Sequence, residues 1–474
     1  MAMIYIERMV VVWHMVAQED LATVFGRHVA EATYRSLPEE AIRSAKYSTL
    51  DTLGVILGAS GLMDVMPGIV ELTRDWGGKP ESTLFGFGGK LPAVSAAFVN
   101  GSMGHGLDYD DHLPEGHHPS VTVLPALLAV AERKGGVTGE DFITALAVGQ
   151  DLFARLRKNV AWKQDWFMTP VVGTLASAAA CAKLLGLDAK QVTDAIGIAC
   201  TQAASTMQTA YGTGGDLRGM YGGFAAKAAV LSALLAEKGV KATSTPLEGD
   251  AAFLPVYFGE WDRDAMVADL GTDFQGATIL YKLWPSCGVT HAYIDTALRL
   301  MGGPGRTDEI EKIEVFGGDF AKQLSEPPEF RRRPPTSNDA KFSIPFTVSL
   351  ALLKGTVGVG DFSPERRADP LVYEVASKVV FVDDPKYNWG KELPAGAVRL
   401  VLEDGRELYG EAKHDETPGA AHNPLDWSQL VTKFEDCAGH AARPFEDTAI
   451  KQLVTTIDQL EGVDDVAVLT RQLG

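Results

Sequence analysis

The chain has 474 residues, with 43 Lys and Arg against 62 Asp and Glu, a formal net charge of −19. Hydrophobic residues make up 46% and charged residues 22%, ordinary globular usage that excludes disorder for most of the chain and allows a large core. The negative balance argues against nucleic acid, whose binding rests on Lys and Arg neutralising phosphates, and against anionic membrane surfaces.

The first twenty residues hold a short apolar run that Glu7 precedes and His14 breaks. That is a weak match to a signal peptide. The preferred reading is that residues 1–16 are an extension and that Met15 is the natural start. Apolar stretches such as Val121–Val130 and Ala176–Leu187 are too short or too interrupted to span a bilayer. Cys181, Cys200, Cys287 and Cys437 are widely spaced, with no CxxC pair. This argues against structural zinc and a disulfide framework, and for a reducing cytoplasm.

From Leu21 to about Leu280 the pattern reads as helix after helix. Ser36–Glu39 looks like a capping box with Pro38 in the first turn, followed by apolar residues at helical spacing. Ala93–His105, Val121–Arg133, Glu140–Arg157, Val172–Leu185, Ala189–Thr206 and Phe224–Lys238 read the same way. Their many Ala and Gly residues predict close helix packing. Near Tyr281 the texture changes. Ile310–Phe316 and Val375–Val382 are β-branched and partly alternating, and Asp404-Gly405 marks a hairpin between Val398–Leu402 and Glu407–Tyr409. Helical patterns at Thr290–Met301 and Phe346–Leu353 interleave with these strands, and helices return at Leu425–Ala442 and Phe445–Leu460. The prediction is a mainly α fold. A large all-helical domain spans 17–280 and 412–474, and a smaller inserted α+β domain spans 281–411, with a cleft between them for a ligand.

Chemistry-bearing residues concentrate in three places. The densest is His105–Ser120 (HGLDYDDHLPEGHHPS), with four carboxylates and four of the chain's ten histidines. Pro114, Gly116 and Pro119 make its second half a loop, and Ser120 is expected to cap the next helix. His117 and His118 then stand at a helix N-terminus, where the dipole attracts anions and keeps an imidazole neutral. A solvated acidic loop and a metal site built from the same Asp and His ligands are the competing readings. The second is Tyr281–His291 (YKLWPSCGVTH). Lys282 is placed to clamp a carboxylate. Cys287 would sit in the first turn of a helix, where the dipole lowers a thiol pKa, with His291 on the same face. The third is Gly215–Lys227, where glycines would let the backbone approach a ligand and Arg218 could grip a carboxylate. Gly86–Lys90 is not a phosphate loop, and no glycine fingerprint for a dinucleotide follows a strand.

Together these motifs resemble the MmgE/PrpD family, which includes 2-methylcitrate dehydratase, cis-aconitate decarboxylase and iminodisuccinate epimerase. The match is carried by Gly104–Glu132, Leu184–Ala199, Leu247–Phe253, Tyr281–Leu298 and Ala340–Gly355. The resemblance implies an all-helical domain with a smaller α+β lid, a homodimer, and cofactor-free chemistry on small di- or tricarboxylic acids. Asp108, His118 and Lys282 fall on retained family positions, as does His291. Several positions depart from the decarboxylase pattern. His112 stands for a Thr, Arg218 for a Lys and Tyr221 for a His. Phe167 or Met168 stands for a second His, Cys287 for a third, and Phe320 for a Tyr.

The expected activity is a lyase, dehydratase-like, that abstracts the proton next to a carboxylate and expels a hydroxyl. His118 is the expected base or acid, and Asp108 orients it or shares the proton. Lys282 and Arg218 clamp carboxylates. His112 is a further catalytic candidate, and Tyr221, Cys287, His291 and His117 are candidate substrate contacts. The alternatives are an isomerase or epimerase, a decarboxylase, a metal hydrolase and a non-catalytic carboxylate binder. No cofactor, metal or nucleic acid is expected. The charge of −19 requires local cations to capture an acidic substrate.

Overall fold

A computed structural model describes residues 18–211, 215–390 and 393–474. The expected N-terminal extension and the Met15 start lie outside the described residues.

Helices account for most of the chain: α1 (Leu21–Glu31), α2 (Glu39–Leu62), α3 (Met66–Asp75), α4 (Ala93–Met103), α5 (Ser120–Lys134), α6 (Gly139–Lys158), α7 (Met168–Leu185), α8 (Ala189–Ala199) and α9 (Leu217–Glu237). After these come α10 (Gly288–Met301), α11 (Ile344–Lys354), α12 (Pro370–Ser377), α13 (Trp427–Ala438) and α14 (Asp447–Asp458), with shorter turns between. The mainly α expectation holds. Ser36 bonds back to Thr33 rather than capping α2, and Pro38 stands just before that helix.

A small hairpin pairs β1 (Ser82–Thr83) with β2 (Lys90–Leu91). A four-stranded sheet is made of β3 (Ile310–Gly317), β4 (Val379–Asp383), β5 (Gly396–Leu402) and β6 (Glu407–Ala412), in the order β4-β3-β5-β6. β5 and β6 are antiparallel around Asp404-Gly405, where Gly405 adopts φ +84°, as the Asp-Gly signal predicts. Val375–Ser377, read as strand, form the last residues of α12 instead, and the strand starts at Val379.

Buried apolar side chains fall into two large clusters. One runs from Leu21 to Tyr281 and resumes from Leu425 to Leu473, with Val359 reaching in. The other runs from Trp284 to Ala412 behind the sheet. Helix α13 packs on α2, so the chain returns to the first cluster after building the second.

The glycines of Gly215–Lys227 have a different role from the one expected. Gly219, Gly222 and Gly223 lie inside α9, which packs along α4. A Cβ on Gly222 would meet the carbonyl oxygen of Gly101 at 2.8 Å. Gly222 and Gly223 bring two helices together, and Gly219 faces Gly106 of the loop after α4, rather than bringing a backbone to a ligand. α7 and α9 are also long and apolar enough to cross a bilayer by length and composition, contrary to the expectation from the shorter stretches. In this fold 89% and 72% of those windows are buried against other parts of the protein.

Candidate active site

The loop between α4 and α5 carries most of the site. Two of its non-glycine residues take the left-handed region, Asp108 at φ 49° and His117 at φ 74°. Asp and His are among the residues that tolerate it, and such conformations gather at functional sites. These turns fold the loop back so that its titratable groups converge on one cavity with Arg218 from the start of α9 and Lys282 from the segment joining the two clusters.

Asp110 sits at the centre, fully buried. Its Oδ1 lies 2.7 Å from Nδ1 of His105, and its Oδ2 lies 2.8 Å from Nδ1 of His118. The same His118 nitrogen is 2.7 Å from the backbone oxygen of Asp111. Both neighbours are acceptors, so Nδ1 carries the proton and Nε2 is left as a lone pair for the cavity. The two imidazoles hold the Asp110 carboxyl well below the usual range despite its burial. Asp108, the expected orienting group, does something else. The Lys282 ammonium bonds its carboxylate and, at 2.9 Å, its backbone oxygen. Burial alone would raise the Asp108 carboxyl, but Lys282 and the nearby histidines hold it low. Its Oδ2 has no hydrogen-bond partner and remains an acceptor.

His112 donates from Nδ1 to the oxygen of Leu113 at 2.8 Å, so its Nε2 also accepts. Burial and the Lys282 charge push it well below its ordinary value. His117 accepts from Nε of Arg157 at 2.8 Å, and burial and that guanidinium keep it neutral too. Arg218 lies over the ring of Phe342, its guanidinium carbon 3.3 Å from the centroid.

Behind the loop, Lys433 on α13 ties the parts together. It bonds the backbone oxygens of Tyr109 and Lys282, the latter at 3.0 Å, and pairs with Asp51 at 2.6 Å. Asp111 accepts from Ser48 at 2.8 Å and from the Ser120 hydroxyl at 2.5 Å. Burial and the neighbouring Asp51 push its carboxyl up to about 7. Ser120 is therefore the first residue of α5 and a partner of Asp111, with Pro119 in the cap position.

His105, Asp108 and His118 offer atoms within 4.8 Å of one another, a grouping that could hold a metal. The Nδ1 atoms of both histidines face Asp110, which leaves their Nε2 atoms as lone pairs, but the Lys282 ammonium already neutralises Asp108. A cation there would lie beside that ammonium, and this like charge counts against an ion.

Among known proteins, the MmgE/PrpD N-terminal domain matches residues 23–265 and the MmgE/PrpD C-terminal domain matches residues 284–459. The chain belongs to the MmgE/PrpD family. It is 27% identical over 454 residues to the cis-aconitate decarboxylase of Aspergillus terreus, covering 90% of this chain and 91% of that protein. It is 28% identical over 455 residues to the mouse (Mus musculus) cis-aconitate decarboxylase, covering 92% and 90%. To the 2-methylcitrate dehydratase of Salmonella typhimurium it is 24% identical over 436 residues, covering 85% and 87%. These relatives are lyases, which supports an enzyme with a lyase-like role.

In this MmgE/PrpD protein the cavity wall includes Asp108, His112, His117, His118, Arg218, Lys282 and Cys287. Two expected contacts are not on that wall. Tyr221 is buried behind His105 and Phe167, its ring 4.8 Å and 4.6 Å from theirs. His291 is buried edge-on against Trp284 at 5.2 Å, and burial and the Lys282 charge push its imidazole well below the ordinary value. Cys287 reaches the wall, but burial and Asp108 push its thiol up to about 11, the reverse of the expected lowering. A Cys287–His291 nucleophile is thereby ruled against. Sequence reasoning missed His105 and Asp110 as the partners of His118. It also missed Lys433, whose signal was a lone lysine on the buried face that Leu430, Phe434 and Cys437 share.

Proposed function

We propose that this MmgE/PrpD protein is a lyase, dehydratase-like, acting on a small di- or tricarboxylic acid by removing the proton next to a carboxylate. The observation that carries this is the His118 imidazole. Its Nδ1 is fixed by Asp110 and the Asp111 backbone, and its ring stands in a cavity that also holds Lys282 and Arg218. The relatives named cis-aconitate decarboxylase and 2-methylcitrate dehydratase support chemistry on such acids.

In this reading Lys282 and Arg218 hold the carboxylates and stabilise the charge that builds as the C–H bond breaks. His118 Nε2 takes the proton, and Asp110 stabilises the imidazolium formed. The leaving hydroxyl then needs a proton. His112, with Nδ1 committed to Leu113, and anionic Asp108 offer acceptors only. His117, which accepts at Nδ1 from Arg157, offers a neutral N–H, a far weaker acid than an imidazolium. The imidazolium of His118 is therefore the strongest acid within the loop, and in this reading the elimination takes proton and hydroxyl from the same face.

The test is proton NMR in deuterated water with C4–C7 di- and tricarboxylates. Loss of a hydroxy acid with growth of an alkene supports the dehydratase. Solvent deuterium entering the acid without net product points to the second reading, an isomerase or epimerase. That reading draws on the same observation, a single base that can return the proton to its own carbon. Release of carbon dioxide points to a decarboxylase, and stabilisation without turnover to a carboxylate binder.

The homodimer belongs to the same proposal. Trp76, which caps the end of α3, is 56% exposed, Phe224 on α9 is 44% exposed, and Leu72 on α3 is 52% exposed. The rings of Trp76 and Phe224 are linked through Phe98, 6.5 Å from Trp76 and 5.2 Å from Phe224, which makes an apolar patch fit for a second copy. Light scattering on the eluted protein measures its mass.

A further inference from the structure

Part of the cavity wall takes no role in the proposed reaction. Phe320, Phe342, Trp389 and Leu393 come from the sheet-bearing segment and face the same space as His118. The rings of Phe320 and Trp389 pack at 4.9 Å. Among these four side chains the single polar atom is Trp389 Nε1, a neutral donor buried without a partner. One N–H cannot balance a carboxylate taken out of water.

The cations of the wall are few. Among the described residues they are Lys282 and Arg218, opposed by the carboxylate of Asp108, which leaves a net charge of +1. His105, His112 and His117 are each pushed toward the neutral form by burial. Lys341 and Lys433 are buried behind the loop. Lys341 gives its ammonium to the oxygen of Gly106 at 2.7 Å, and Lys433 is held by Asp51. Two carboxylates can each touch one cation, Lys282 being shared with Asp108, and already exceed the net charge of the wall. A third would lie against Phe320, Trp389 and Leu393, stripped of water and unpaired.

Resting on the lyase reading above, we infer that the substrate is a dicarboxylate carrying an apolar alkyl or aryl arm. The arm lies on Phe320, Trp389 and Leu393, and citrate-type tricarboxylates are poor ligands. For a 2-alkylmalate the step balances without a co-reactant. The C3–H and C2–O bonds break, the C2=C3 bond forms, and the proton carried by His118 leaves with the hydroxide as water.

Calorimetry and proton NMR with the full chain test this, using malate, 2-butylmalate, 2-benzylmalate and citrate as probes. Each methylene buried on the wall is worth ~4-fold in affinity, so the butyl or benzyl acid should bind at least ~10-fold tighter than both malate and citrate. Citrate binding as tightly as either substituted acid, or tighter, overturns the inference while leaving the lyase reading standing. Tight binding of the substituted acids without alkene formation upholds the ligand class and contradicts the lyase reading. Binding of none of the four overturns both. Leu393 is only partly buried, so Leu393→Arg adds a cation to the wall at small risk to the fold. It should move the preference toward citrate by ~10-fold. An unchanged preference in a folded variant overturns the placement of the arm.

Discussion

Asp110 places one carboxylate oxygen 2.8 Å from Nδ1 of His118 and the other 2.7 Å from Nδ1 of His105, in a fully buried position. The first contact sets a negative charge beside the ring whose tautomer the backbone oxygen of Asp111 fixes, leaving Nε2 of His118 as an acceptor. The second holds the carboxylate itself in place. Asp110→Asn removes the charge and puts an amide where an acceptor is needed. It should lower kcat by at least ~10²-fold with a much smaller change in KM, because the clamps are untouched. Steady-state kinetics on the best substrate of the acid screen checks this.

Lys282 and Asp108 form a pair in which both residues are 3% exposed. Lys282→Met strands the Asp108 carboxylate without its cation, at a cost of about 3–5 kcal/mol. Adding Asp108→Asn removes the stranded charge and should return most of that stability. Activity should stay lost in the double variant, because the carboxylate clamp is gone. Urea unfolding and turnover of the two variants separate the structural share of the pair from the catalytic one.

The Asp111 carboxyl, raised to about 7 by burial and Asp51, keeps a proton in the folded chain that the unfolded chain releases near ~4. The folded state therefore binds more protons between those values, and this residue's contribution falls as pH rises from ~4 through ~7. Asp111→Asn carries no such proton. The melting temperature of the native chain minus that of the variant should shrink steadily from pH 5 to pH 8. A difference that grows with pH contradicts this assignment.

Cys287 stands on the cavity wall with a thiol pushed up to about 11. It is protonated at neutral pH and makes a poor nucleophile. Cys287→Ser should keep kcat within ~3-fold, and iodoacetamide should inactivate the native chain slowly.

Much of this fold can be read from local pattern. The Asp404-Gly405 hairpin, the strand at Ile310 and the helices from Ala93 to Leu185 each rest on signals spanning a few residues, and the chain adopts them. The start of α9 does not follow, because Gly222 and Gly223 read as a loop until α4 is seen against them. Small residues that serve helix contact look the same in one dimension as residues that serve a turn. In the site, the histidines and Lys282 stand out by density and position. The division of labour within Asp108-Tyr-Asp110-Asp111 does not. It depends on the left-handed turn at Asp108, which sends one carboxylate to Lys282, one to the two imidazoles and one to Ser48 and Ser120. Lys433, Phe320 and Trp389 come from distant segments, and only tertiary packing shows that they meet this loop.

The central claim is that His118 moves the proton. The most direct measurement is the first-turnover rate of C–H cleavage in deuterated water, by NMR, for the native chain and for His118→Gln. The account predicts a loss of at least ~10²-fold in the variant, with melting temperature and acid binding close to native. Proton abstraction at a near-native rate in His118→Gln would contradict it.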